Sequence, residues 1–151
     1  MQFRHQTDTT VIFQTSNYNT DAQIGAMRYR YPQFSVMKRG HFDIEFVGKL
    51  HVKPVFPVYT VSVTYRGNLR PLVRIVRPIL VEDAPHFYKK STSLCLYHPR
   101  NYHWTKEKLV AKDIISWTIA WIYFYEKWLE SGKWYGPEVP HDEDLIKAEF
   151  N

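Results

Sequence analysis

Apolar residues recur along the chain with two different periods, and the change of period divides it. In Phe42-Asp43-Ile44-Glu45-Phe46 apolar and acidic residues alternate strictly, the pattern of a strand with one wet face. Val58 to Tyr65 repeats it, with Tyr59, Val61, Val63 and Tyr65 on one face and Thr60, Ser62 and Thr64 on the other. Arg66-Gly67-Asn68 supplies turn chemistry. Leu72 to Arg77 then alternates again, with Val73 and Ile75 opposite Arg74. Connections this short leave no room for crossover helices, so the segments predict an antiparallel meander of about four strands. Later the period lengthens. Val110, Ile114, Trp117, Trp121, Phe124 and Trp128 recur at spacings of four and three, one face of a long helix. Thr105 is its candidate N-cap and Ser131-Gly132 its stop.

Ahead of the strands, a short helix is expected from Asp21 to about Tyr31, capped by Thr20 or Asp21, with Ile24 and Met27 on one face. Pro32 ends it, because the residue before a proline is pushed out of the helical region. Residues 1–20 read as a polar arm holding one apolar triplet, Val11-Ile12-Phe13, a short strand at most. Pro78 and Pro85 mark the end of the sheet and open an irregular, basic stretch, Glu82 to Ser93, that leads to Cys95. Residues 133–151 form a tail expected to pack on the domain and to end in a short acidic helix, Asp142 to Phe150. Helix, meander, cysteine loop and helix make an α+β plan, carried by a single domain over residues 1–151.

Composition narrows the function. Hydrophobic residues are 44% of the chain and aromatics 17%, enough for a full core and too much for a disordered body. The longest apolar run, Ile114 to Tyr125, is too short to span a bilayer, so no membrane is expected. The start, Met1 to His5, has no apolar core behind it, so a cytoplasmic location is expected rather than export. The net charge of +5 permits an acidic partner without demanding one. No glycine-rich phosphate loop is visible. Neither cofactor nor metal is expected, since His98 and His103 lack a carboxylate or thiol set at a recognised spacing.

One cysteine remains, Cys95, within Leu94-Cys95-Leu96-Tyr97-His98-Pro99. A free cysteine is commonly just a small buried hydrophobe. Its setting argues for more. Arg66, Arg70, Arg74, Arg77, Lys89, Lys90 and Arg100 outnumber Glu82 and Asp83 between residues 66 and 100, and His86, His98 and His103 crowd the same region. Such a field lowers a thiol's pKa and makes it a nucleophile. The competing account is that the cations are solvated strand edges and that His98-Pro99 is a turn. A Cys-His pair would draw on either His86 or His98 as base.

Several stretches together resemble the prokaryotic branch of the ubiquitin-conjugating-enzyme family. They are "RYPQF" after the first helix, "RPLVRIVRP" and "HFYKKSTSLCLYHP" (His86 to Pro99). Trp104 follows, then "WTIAWIYFYEKWLESGKWYGPEVPH" from Trp117 to His141. The resemblance runs roughly from Ile24 to His141, and the pairing of "LCLYHP" with "YEKWLESGKWYG" is its most specific part. It implies a UBC-like fold and transthiolation: Cys95 takes the C-terminal acyl group of a protein as a thioester and yields it to an amine. His86 and Tyr88 match the H-x-Y that precedes the cysteine in the bacterial branch, with His86 orienting or stabilising the acyl intermediate. Eukaryotic relatives carry His-Pro-Asn there; Pro85-His86-Phe87-Tyr88 has no asparagine, so a backbone amide is the other candidate for the oxyanion role. Bacterial proteins of this type occur in cyclic-oligonucleotide-based antiphage signalling (CBASS) operons. The resemblance therefore implies a cGAS/DncV-like nucleotidyltransferase or a ubiquitin-like protein tail as partner, with or without a separate activating enzyme, and a stand-alone chain without a fused activating domain.

Three functions compete at this stage. An acyl-carrying enzyme requires a partly exposed Cys95. A non-catalytic scaffold of the same fold would bind its partner without the thiol, with Trp134 and Tyr135 as candidate anchors, although Trp134 is expected to pack under the long helix. Nucleic-acid binding through the basic strands has no recognised motif behind it and ranks last.

Overall fold

A computed structural model describes residues 18–40 and 43–138. The expected arm with Val11-Ile12-Phe13 and the acidic helix over Asp142–Phe150 lie outside them. The first helix, α1, spans Thr20–Arg30. Four strands follow, β1 (Ser35–Arg39), β2 (Ile44–Leu50), β3 (Tyr59–Arg66) and β4 (Leu69–Arg77). They form one sheet in the order β1-β2-β3-β4, with every neighbour antiparallel. The architecture is α+β, as the periods predict, and β1 is a strand that the alternation did not single out.

Strand β3 carries the sheet's inner face. Tyr59, Val61, Val63 and Tyr65 are each wholly buried, while Thr60 and Thr64 on the other face are half-buried. The β3–β4 hairpin turns through Gly67 and Asn68, with Gly67 at φ 66°, the first turn position that favours glycine in a two-residue loop. Strand β4 carries two extra residues relative to β3: Thr64 and Arg66 face Leu72 and Leu69, and Thr60 and Val61 face Arg77 and Ile75. These bulges bend an edge strand that also accommodates Pro71.

The long helix departs from its expected form. Thr105 closes a separate turn, its carbonyl accepting the Lys108 N–H (3.0 Å), and does not cap the helix. Helical structure starts with a wide π turn, Val110–Ile114, in which the Ile115 N–H reaches back to the Val110 carbonyl. The regular helix α2 then runs over Ile115–Ser131. Its buried residues are Ile115, Thr118, Trp121, Ile122 and Tyr125. Trp117, Phe124 and Trp128 flank that stripe half-buried, so the inward face is rotated from the predicted one. Gly132, at φ 74°, ends the helix and donates its N–H to Trp128 (2.7 Å). At α1 the cap also differs. Asn19 takes the position in a left-handed conformation and makes no side-chain cap, so neither Thr20 nor Asp21 serves.

Buried polar side chains join these layers. Gln23, fully buried on α1, donates to the Lys108 carbonyl (2.6 Å) and accepts the Val110 N–H (3.0 Å). Trp104 donates to the Gly67 carbonyl (2.9 Å), and Tyr59 of β3 donates to the Glu126 carboxylate of α2. Among the described residues no helix is long and apolar enough to cross a membrane.

Two glycines make a matched test of this packing. A Cβ at Gly48 in β2 would lie 2.5 Å from the Phe34 ring and 2.8 Å from its Cα, whereas one at Gly25 on the outer face of α1 would meet nothing within 4 Å. Chemical denaturation should show Gly48→Ala destabilised by about 1–3 kcal/mol and Gly25→Ala stabilised by about 0.5–1 kcal/mol.

Alkaline pH offers a second test. Burial raises the Tyr59, Tyr65, Tyr102 and Tyr125 hydroxyls above their ordinary range, reinforced at Tyr59 by Glu126 and at Tyr102 by Asp113. The folded state holds these protons more tightly than the unfolded chain. Stability is therefore full below about pH 10 and falls as pH rises past it. Tyrosinate absorbance should accordingly rise in two phases, the second coincident with loss of helical circular dichroism.

Candidate active site

The stretch from Pro78 to Cys95 is more regular than its prolines and charges suggest. Phe87–Tyr88 (β5) and Ser93–Leu94 (β6) pair antiparallel, with Phe87 opposite Leu94 and Tyr88 opposite Ser93. The tip turns through Lys89–Thr92, closed by the Thr92 N–H on the Lys89 carbonyl (3.3 Å), with Thr92 at φ 50°. Arg74 of β4 fastens the tip by donating from Nε to the Ser91 carbonyl (3.1 Å).

Cys95 extends this ladder by one rung, its N–H donating to the His86 carbonyl at 2.9 Å. Residues opposite each other in a ladder share a face, and faces alternate along each strand. Tyr88, Ser93 and Cys95 are thereby placed on one side, while His86 stands opposite Cys95 through its backbone. This accounts physically for the H-x-Y spacing: Tyr88 becomes the diagonal neighbour of Cys95, and its hydroxyl accepts from Sγ at 3.1 Å. Over the Tyr88 ring lies the Arg70 guanidinium, 4.5 Å from the centroid.

The thiol is not partly exposed. Cys95 is 2% accessible and packs with Tyr88, itself 6% accessible. The ladder turns its side chain inward beside a phenol large enough to cover it, which corrects the exposure expected from sequence.

His86 occupies a more constrained position than a loop histidine. It is 5% accessible and sits at φ 52°. Its carbonyl also accepts the Trp121 indole N–H of α2 (3.1 Å). Nε2 lies 3.2 Å from a Glu138 carboxylate oxygen, and the ring rests on Trp134 at 4.7 Å between centroids. Trp134 in turn lies against Trp121 and Phe124, so it packs on the long helix as expected, while Tyr135 is exposed. Gly136 passes so close that a Cβ there would stand 2.7 Å from the Phe124 ring.

His98 is placed in a turn. Its Nδ1 accepts the Arg100 N–H (3.0 Å) and its carbonyl accepts the Asn101 N–H (2.9 Å), the arrangement of a residue that organises the chain after the cysteine. His103 is exposed on the following loop. The structure thus brings His86, Tyr88 and Cys95 together on the hairpin. It singles out Arg70 from the seven cations expected around the thiol, and it adds two residues that the sequence reading did not place there, Trp121 and Glu138.

Comparison with known families agrees with this geometry in extent. The family model described as the Type II CBASS E2 protein matches residues 23–142, which takes in most of α1, the sheet, the cysteine hairpin and α2. The chain belongs to this family. No curated protein matches it.

Burial of the thiol sets its expected reactivity. With Tyr88 in place, alkylation of Cys95 should be limited by local opening. Tyr88→Ala should speed it by about tenfold or more, read by intact mass against time; an equal rate in both proteins would show that the phenol is not what covers Sγ.

Proposed function

We propose that this chain has a UBC-like fold and is a cysteine acyltransferase of cytoplasmic antiphage signalling. It carries the C-terminus of a protein, a cGAS/DncV-like nucleotidyltransferase in the leading form, as a thioester on Cys95. That C-terminus arrives already activated, as the thioester of a donor. The Cys95 thiolate attacks the acyl carbon, forming a C–S bond and expelling the donor's thiolate. A substrate amine then attacks the same carbon; a C–N bond forms, the C–S bond breaks to release the Cys95 thiolate, and the amine's proton passes to solvent.

The observation that carries this reading is the position of the chain's one cysteine. It lies within the matched region, next to a phenol and opposite a histidine on the same hairpin. Tyr88 is suited to donate a hydrogen bond to the thiolate. His86, held by Glu138 and Trp134, is suited to a structural or orienting role beside the acyl group. The Cys95 N–H already donates to His86, so an oxyanion donor would come from elsewhere once the acyl group is in place. The inward thiol requires Tyr88 to swing aside when the donor docks.

That same burial favours a second reading, a non-catalytic scaffold of this fold that binds its partner irrespective of Cys95. Intact-mass spectrometry separates the two. Wild type and Cys95→Ala are each co-expressed with the adjacent genes. The enzyme reading expects a thiol-labile added mass on the wild type alone. Partners that co-purify with both proteins, without an adduct on either, would establish the scaffold, and an adduct surviving in Cys95→Ala would refute the assignment of Cys95.

A further inference from the structure

Seven cations lie between residues 66 and 100. Of these, Arg70 alone is buried, at 3% accessibility; the others are half-buried or exposed. Withdrawing a guanidinium from water is costly unless its surroundings compensate, so its position calls for a physical account. Two features of β4 turn it inward: the bulge between the Leu69 and Leu72 pairings, and the clamp on its carbonyl, which accepts Arg66 Nε at 3.0 Å as well as Nη2. The guanidinium then faces the Tyr88 ring at 4.5 Å, and the Tyr88 hydroxyl meets Cys95 Sγ at 3.1 Å. Arg70, Tyr88 and Cys95 form a buried row that ends on the thiol.

We infer that Arg70 is a positioning residue for the Cys95 thiolate, acting through Tyr88. This rests on the thioester chemistry proposed above. While the sulfur is protonated, S–H donates to the phenol oxygen. When the thiol ionises, its proton leaves, the Tyr88 O–H rotates, and it donates to S⁻ instead. Negative charge then sits at one end of the phenol while the guanidinium stays over its face. In surroundings that screen weakly, this arrangement favours the ionised sulfur over the neutral one. The contact by which Arg70 reaches toward the sulfur runs over the Tyr88 ring. Its effect is to hold the ring in place until the donor docks and to bias the charge state of the sulfur beyond it.

A single cysteine makes the test clean. Cysteine labelled with ¹³C gives one Cβ resonance in the full-length protein, and its shift reports ionisation of Cys95 directly. Arg70→Gln should raise the titration midpoint by about one pH unit, roughly tenfold less thiolate below it. Arg70→Lys, which keeps a charge but lacks the planar face, should move it the same way by about half a unit. In a Tyr88→Phe background Arg70→Gln should add a smaller shift than it does alone, because the intermediary hydroxyl is gone. An unmoved midpoint in Arg70→Gln, or in Arg70→Lys if the first variant does not fold, would overturn the inference, as would full additivity with Tyr88→Phe. The outcome is separable from the acyl-adduct experiment. A shifted midpoint without an adduct removes the acyltransferase reading alone, and an adduct with an unmoved midpoint removes the role of Arg70 alone.

Discussion

One carbonyl oxygen joins the parts of this molecule that bear on its chemistry. The His86 carbonyl accepts the Cys95 N–H and the Trp121 indole N–H together, using both of its lone pairs. The first bond sets the cysteine on the hairpin ladder, and the second sets that ladder against the long helix. Both are buried, where leaving a donor unpaired costs about 1–3 kcal/mol. The left-handed backbone of His86 is the conformation in which this double acceptance occurs. The tilted contact of His86 with Trp134 and the contact of its ring with Glu138 follow from it, since they hold the imidazole where the backbone has put it.

The same device recurs on a larger scale. Loops here are tied by buried side chains that bond to backbone rather than by loop-to-loop ladders. Gln23 holds the segment that leads into the π turn, and Trp104 reaches the β3–β4 turn. Tyr125 accepts the Val81 N–H (3.0 Å), which fixes the segment before the hairpin on α2. Each bond satisfies a polar group that burial would otherwise penalise, so the loops are as well determined as the strands.

How much of this could be read from residues alone depended on whether a pattern was local. The inner face of β3 was legible because period-two alternation and burial coincide at Tyr59, Val61, Val63 and Tyr65. Strand β1 is not legible in the pattern because Ser35–Arg39 has a single apolar pair, Val36 and Met37, and gains its identity only from pairing with β2. The long helix was found but its inward face was misplaced, because wide aromatic rings at Trp117, Phe124 and Trp128 outweighed Ile115, Thr118 and Ile122 in the periodicity. Cys95, His86 and Tyr88 could be grouped through the family resemblance, and the ladder supplies the spatial reason. Arg70 could be counted among the cations around Cys95 but not singled out as the buried one, since a bulge decides which way it points and no residue type announces a bulge in an edge strand.

The π turn at Val110–Ile114 bears on how the chain tolerates changes of length. A wide turn holds one residue more than a regular one closing the same gap. Loss of a residue there can be absorbed by tightening the turn, leaving Gln23's partners on one side and the Trp121 indole on the other where they were. The same loss within Ile115–Ser131 would rotate everything beyond it by about 100° and swing Trp121 or its neighbours off the core. The turn thus works as a slip joint between the half of the protein that receives α1 and the half that braces the cysteine.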